Sequence, residues 1–384
     1  MSHAPSAILE RRHRAVRAAL ADAGLDALVI TSLPNILYLT NFIGSSAIVV
    51  VDAARVRFLT DFRYVTSIAD TRGTPRECPD LDLVTVEGSY DAALAQMLSA
   101  AALKRVGFEA AHLTVARHDW LKSSIIDHQS SISADLVPTE QIVERARVRK
   151  DDYEISTVRE AAARLSAVAR TVAGEVRRGR TERAIASAID WKIRDAGFER
   201  SAFDTIVASG PQAALPHARP TERTITEGDL VVLDFGGVYD SYCVDLTRTV
   251  MVGKADGRVR EVYDAVREAR NRAVAAVSPG RSRFEIDAAA RDLLASRGLG
   301  DAFGHGTGHG LGIDIHEDPK VTRRTGAGDE LGPDEELVDI GMVFTIEPGA
   351  YLPGWGGVRI EDDVLVTQHG VEVLTGVTTD LLEL

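Results

Sequence analysis

Three histidines and four acids have the types and spacing to do chemistry. His305, His309 and His316 lie in "FGHGTGHGLGIDIHEDP", residues 303–319. A spacing of four sets two imidazoles on one face of a helix. Here Gly304, Gly306, Gly308, Gly310 and Gly312 argue against a helix. An extended segment is expected, its glycines letting backbone pack close around a ligand. The acids occur in two similar runs. "EGDLVVLDFG" carries Gly228, Asp234 and Gly236, and "DIGMVFTIEPG" carries Gly341, Glu347 and Gly349 at the same offsets. A second strand-like run follows each, bearing Asp245 in one case and Glu361 in the other. The match implies two related halves, each a hairpin with two carboxylates. Facing each other across a pseudo-two-fold, they would bring four acids together.

Each acid is flanked by apolar strand residues, and burying a carboxylate without a partner is costly. A single acid could face solvent at a strand end or pair with an arginine such as Arg248 or Arg359. Four in a repeated arrangement call for a shared partner, because crowded carboxylates repel and take up protons. Two divalent cations and a hydroxide would leave the cluster nearly neutral. Carboxylates with a single imidazole suit Mn²⁺, Co²⁺ or Zn²⁺ with open positions. Two such ions, about 3.5–4 Å apart, activate water and clamp a tetrahedral intermediate. One of the three histidines is the natural fifth ligand.

The elements that must position these groups fall into two parts. The first 140 residues alternate: a helix over 8–24, strands in "DALVIT", "AIVVVD", "VRFLTD", "LVTVE" and "RVGFE", and a helix over 90–103. That pattern predicts an α/β domain with a largely parallel or mixed sheet. It contains no phosphate-cradling glycine loop. Charge rises around 138–152, with Pro138 as a stop, and the boundary is set at 145/146. The second part, 146–384, is α+β. Helices are expected near 152–177, 181–196, 257–277 and 282–297, and strands in "FDTIVASG", "LVVLDFGGVY", "CVDLTRTVMV", "MVFTIEPGAYL" and "GVRIEDDVLVT".

Composition bounds the function classes. A chain of 384 residues, 45% of them hydrophobic, can bury the cores of two domains. A net charge of −13 disfavours nucleic acid and anionic membranes as partners. Two cysteines, Cys78 and Cys243, make neither a disulfide scaffold nor a thiolate metal site. No signal-like or membrane-length apolar run is present, so a soluble cytoplasmic protein is expected.

"LDFGGVYDSYCVDLTRT", "GHGTGHGLG", "TIEPGAY" and "GVRIEDD" together resemble the pita-bread metallopeptidases of the aminopeptidase P and prolidase group. "LPNILYLTNF" and "TDFRY" resemble the creatinase-like N-terminal domain of the same group. The resemblance implies that Asp234, Asp245, His309, Glu347 and Glu361 bind two divalent metals, with Asp245 and Glu361 bridging. It implies that Glu347 handles the proton of the bridging water, and that His217 and His316 act on the substrate. His305, Phe203 and Ile206 would shape the proline pocket, and Arg359 would hold a ligand carboxylate beside the substrate. The implied reaction is cleavage of the Xaa-Pro bond at the N-terminus of peptides, by a manganese-preferring homodimer whose N-terminal domain helps to close a partner's site. Lys320 stands where relatives often carry arginine, and 323–337 reads as a lengthened loop. Both favour tolerance of peptides longer than two residues. A metal-independent creatinase-type hydrolase, a non-catalytic pita-bread binding module and a methionine aminopeptidase are the alternatives; the complete acid and histidine set and the long N-terminal domain weigh against them.

Overall fold

The computed structural model describes residues 3–101, 103–127, 134–324 and 336–384. Most of the expected loop 323–337 therefore lies outside the described residues. The chain divides into two compact units, residues 1–147 and 148–384.

The first unit is built on a six-stranded sheet: β1 (Ala27–Ile30), β2 (Ile48–Asp52), β3 (Val56–Thr60), β4 (Leu81–Thr85), β5 (Arg105–Glu109) and β6 (Asp135–Thr139). Their order is β4-β3-β2-β1-β5-β6. The sheet is mixed, with β2 antiparallel to both neighbours and the other pairs parallel. Strands β1 and β2 are buried at every position, as a sheet covered on both faces requires. Pro138 does not act as a stop. It sits inside β6 opposite Phe108, tolerated because β6 is an edge strand and its missing N–H costs no ladder bond. Two further helices, Leu33–Thr40 and Phe62–Ala69, lie in the segments of "LPNILYLTNF" and "TDFRY".

The second unit begins with the helix Asp152–Val172. Asp151 caps it in a reciprocal box with Glu154. The helices Glu182–Asp195, Gly257–Ala276 and Arg283–Ser296 start at Thr181, Asp256 and Ser282, whose side chains each accept a backbone N–H of the first turn. Leu165, Ile185 and Ile189 are fully buried beneath the sheets. Each stabilises the unit by about 1.5–3 kcal/mol.

The strands that follow carry the chemistry. They are β7 (Arg200–Ser201), β8 (Ile206–Ser209), β9 (Leu230–Tyr239), β10 (Tyr242–Met251), β11 (Gly308–Gly310), β12 (Glu317–Val321), β13 (Val343–Ile346), β14 (Gly349–Leu352), β15 (Gly356–Arg359), β16 (Asp362–Thr367) and β17 (Gly370–Val373). β9 and β10 form a continuous antiparallel hairpin flanked by β7 and β8. The second half is not continuous. The runs 342–352 and 357–367 each break in the middle, so β13 and β16 pair in one sheet and β14 and β15 in another. Pro348 has no N–H for a ladder, and β13 ends at Ile346, just before Glu347. At the other break the Glu361 N–H leaves its own half and donates to the Thr247 carbonyl of β10, 3.1 Å away. The breaks fall on the two acids, where the halves meet.

Candidate metal centre and active site

On β9 and β10, Asp234 lies opposite Thr247 and Asp245 opposite Gly236. Directly opposed residues share a face, and so do residues two apart. Asp234, Asp245 and Thr247 therefore project from one side of the hairpin. Ile206 of β8 also faces Asp234 in register, which sets an apolar side chain beside the acids. Gly236 leaves room for the Phe203 ring, which would lie 2.8 Å from an added Cβ.

His309 comes from the short strand β11, as an extended segment and not a helix. Its approach depends on Gly308, where a Cβ would fall 1.8 Å from the Thr345 carbonyl oxygen. The His309 ring bonds the Gly310 carbonyl through Nδ1 at 3.0 Å. A carbonyl only accepts, so Nδ1 carries the proton and Nε2 presents its lone pair. Burial lowers the His309 pKa to about 4, keeping the ring neutral. That is the form a metal needs.

Asp245, His309 and Glu361 each offer a ligand atom, all within 4.8 Å of one another. Burial and then repulsion from neighbouring acids push the Asp245 and Glu361 carboxyls well above the usual carboxylate range. Burial likewise raises Glu347 to about 8. Such a set fits divalent cations, whose charge removes that repulsion. Glu347 lies beside the three, its Oε1 3.6 Å from His309 Nε2. Asp234 is paired with Arg359, and its Oδ1 is buried without a hydrogen-bond partner. A buried carboxylate oxygen without a partner, on a residue that lines the same cavity as the cluster, is a further place for a cation.

The expected set is thus brought to one cavity of about 630 Å³, lined by Asp234, Asp245, His309, Glu347 and Glu361 together with His217, His305, His316, Phe203, Ile206 and Arg359. His217 and His316 are exposed there. The His316 ring meets His309 edge-on, with centroids 4.3 Å apart. His305 is more committed. Its Nδ1 bonds the Gly306 carbonyl and its Nε2 the Tyr351 hydroxyl at 2.9 Å. By the same carbonyl argument Tyr351 donates to His305, while Arg359 Nη1 donates to Tyr351 at 2.9 Å. The Arg359 guanidinium also bonds Pro216 O, Thr247 Oγ1 and Asp234. Its donors serve the protein's own groups, so it orients Asp234.

Several residues here escaped the sequence reading. The Thr247 hydroxyl donates to Glu361 Oε2 at 2.6 Å. Asp363, fully buried, accepts the Asp245 N–H at 3.0 Å. Tyr351 links His305 to Arg359. Thr247 was accessible from the alternation of β10, being two residues beyond Asp245. Asp363 carries no comparable signal, because its partner Asp245 comes from the other half, and Tyr351 none, because it joins His305 of a separate segment to Arg359 on the neighbouring strand.

The raised carboxyl pKa values predict how metal acts on stability. In the metal-free fold Glu347 holds a proton that the unfolded chain has released, from about pH 4.5 up to about 8, and the raised Asp245 and Glu361 carboxyls act in the same direction. A folded pKa above the unfolded one contributes stability at low pH that is lost as pH rises. Cations take over the protons' role, so the rise in Tm on adding Mn²⁺ to chelator-treated protein should be larger near pH 8 than near pH 5.5. Melting curves at the two pH values check this; an equal or smaller rise near pH 8 would contradict the charge-crowding account.

A doubled strand pair with four acids and one imidazole at its seam, opening on a cavity, defines the pita-bread metallohydrolase class. Residues 156–368 match Metallopeptidase family M24, and residues 12–149 match the Creatinase/Prolidase N-terminal domain. The chain belongs to metallopeptidase family M24. It is 37% identical over 359 residues to the uncharacterized peptidase YqhT of Bacillus subtilis, covering 94% of this chain and 96% of that one. Among solved structures, the Xaa-Pro dipeptidase from Bacillus anthracis matches with a TM-score of 0.89 and 35% identity, over 98% of this chain and 100% of that one. The X-Pro aminopeptidase from Thermotoga maritima matches with a TM-score of 0.83 and 29% identity, over 94% and 98%. Among the described residues, no helix is long and apolar enough to cross a membrane.

Proposed function

We propose that this chain is a metal-dependent exopeptidase that hydrolyses the Xaa-Pro bond at the N-terminus of peptides. Residues 1–145 form its creatinase-like domain and 146–384 its catalytic domain. The observation that carries the reading is one cavity holding the Asp245–His309–Glu361 cluster beside the apolar wall of Phe203 and Ile206.

In this reading Asp234, Asp245, His309, Glu347 and Glu361 hold two divalent ions, Mn²⁺ by preference with Co²⁺ or Zn²⁺ as substitutes. When bound, such ions acidify water and polarise the scissile carbonyl. The chain's own groups do the rest. Arg359 orients Asp234, and Thr247 orients Glu361. Glu347, whose carboxyl is raised by burial, carries a proton to the leaving proline nitrogen. His217 and His316, exposed in the cavity, donate hydrogen bonds to the charge that develops on the carbonyl oxygen. The Xaa-Pro bond is a tertiary amide with no N–H to recognise. Selection therefore rests on ring shape against Phe203, Ile206 and the edge of His305.

Lys320 also lines the cavity. An ammonium is a point charge and not a bidentate fork for a terminal carboxylate, so tripeptides and longer peptides are accepted. The enzyme works as a cytoplasmic homodimer.

The test is a matched pair of substrates. Ala-Pro-Ala should be cut with a kcat/KM on the order of 10² above that of Ala-Ala-Ala, the range that shape selection in an apolar pocket supplies. Similar values would remove the chain from the Xaa-Pro group. Hydrolysis restricted to Ala-Pro would overturn the length assignment alone.

A further inference from the structure

His316 has an exposed imidazole, and among the described residues no hydrogen bond holds its ring. Its aim therefore depends on the backbone that carries it and on the edge contact with His309. That backbone is a turn closed by a buried charge. Glu317 Oε1 accepts the Asp314 N–H at 2.9 Å, so the carboxylate spans Ile315 and His316, both of which line the cavity. Glu317 Oε2 meets Lys150 Nζ at 3.1 Å, with the two side chains only 1% (Lys150) and 8% (Glu317) exposed. Lysine is almost never buried without a partner, and removing one member of such a pair leaves an uncompensated charge. The turn is also pinned at its start, where the Gly312 carbonyl accepts the Cys243 N–H at 2.7 Å, two residues before Asp245.

Lys150 does not line the cavity. Its backbone N–H donates to the Gly341 carbonyl at 2.8 Å, at the head of the segment that bears Glu347. One residue thus ties the strand of Glu347 to the turn of His316.

We propose that Lys150 is a positioning residue for the hydrolysis: its buried ion pair with Glu317 sets the turn that aims His316 into the cavity. The inference rests on the reading above, in which His316 donates to the developing charge. A pair that only stabilised the fold would lower Tm without a selective effect on the His316 step.

The experiment is a double-mutant cycle on the metal-loaded protein with Ala-Pro-Ala. Methionine keeps the length of the lysine stem without its charge. K150M should lose on the order of tenfold to a hundredfold in kcat, with KM within about threefold and metal content unchanged. K150R should recover most of kcat. In the H316A background, K150M should cost less than about twofold, because the donor it aims is already gone. Amide exchange over residues 312–317 should rise in K150M, while residues 230–239 stay protected. Equal losses in the two backgrounds, or unchanged exchange in the turn, would overturn the proposal. Should K150M fail to fold, K150M/E317Q removes both charges and enters the same cycle. If the wild-type protein cuts no Xaa-Pro peptide, the function reading fails, and exchange in the turn decides this inference by itself.

Discussion

Asp245→Asn should cost on the order of 10³ or more in kcat/KM and should drop metal content below two ions per chain. Asp245 faces His309 and Glu361 within 4.8 Å and is 5% exposed. Its Oδ1 accepts the N–H of Leu246 and its own N–H is held by Asp363, so the side chain is fixed on the cluster. An amide of the same shape keeps the packing and removes the charge. One of its ends becomes an NH₂ aimed at cations. Stability should move the other way. Burial and the neighbouring acids push the Asp245 carboxyl up, so a neutral group relieves repulsion in the metal-free fold. After chelation the variant should therefore melt above the wild type near pH 8, and should gain less from added Mn²⁺. Metal analysis, kinetics and melting on one preparation check all three. A variant that keeps two ions and full activity would sink the assignment of Asp245, and full activity in metal-free wild type would sink the metallopeptidase mechanism.

His316→Ala should keep its metals and lose about 10²–10³ in kcat, the scale of one lost transition-state donor. His217→Ala should behave alike, with KM also affected. His309→Ala should lose metal, because its Nε2 is the lone pair offered to the cluster. A ligand acts on the ground state of the site, whereas a donor acts only as charge develops. His305→Ala should be mildest and should act on proline selectivity. Both its ring nitrogens are spent on Gly306 and Tyr351, so its influence on Asp234 passes through Tyr351 and Arg359. Metal content and kinetics of the four variants decide the division. Loss of metal in all four would mean that the segment folds as one unit and that its imidazoles have no separate tasks.

Features set by near neighbours in the chain were legible, and features set by distant ones were not. Helix ends were legible to within a few residues, since Asp151, Thr181, Asp256 and Ser282 satisfy N–H groups two or three positions away. The α/β and α+β halves were legible from alternation. The unbroken strands expected for 342–352 and 357–367 were not what formed. Pro348 could have warned of the first break. The second exists only because Thr247, far away in sequence, takes the Glu361 N–H. Pro138 misled because whether a strand lies at a sheet edge is set by its neighbours and not by its own residues.

By itself, the sequence determined the identity of the acids and histidines, their repeat, and hence the class of chemistry. Residue type and local spacing carry that information directly. Tertiary structure alone decided which of these groups share a centre. It placed Asp245, His309 and Glu361 within reach of one ion, left Asp234 in the grip of Arg359, and turned His305 toward Tyr351. It also buried Lys150 against Glu317. The physical reason is that a buried charge or polar group must find its partner wherever the fold supplies one. Those partners lie on strands and turns separated by tens to hundreds of residues, beyond the reach of any local pattern.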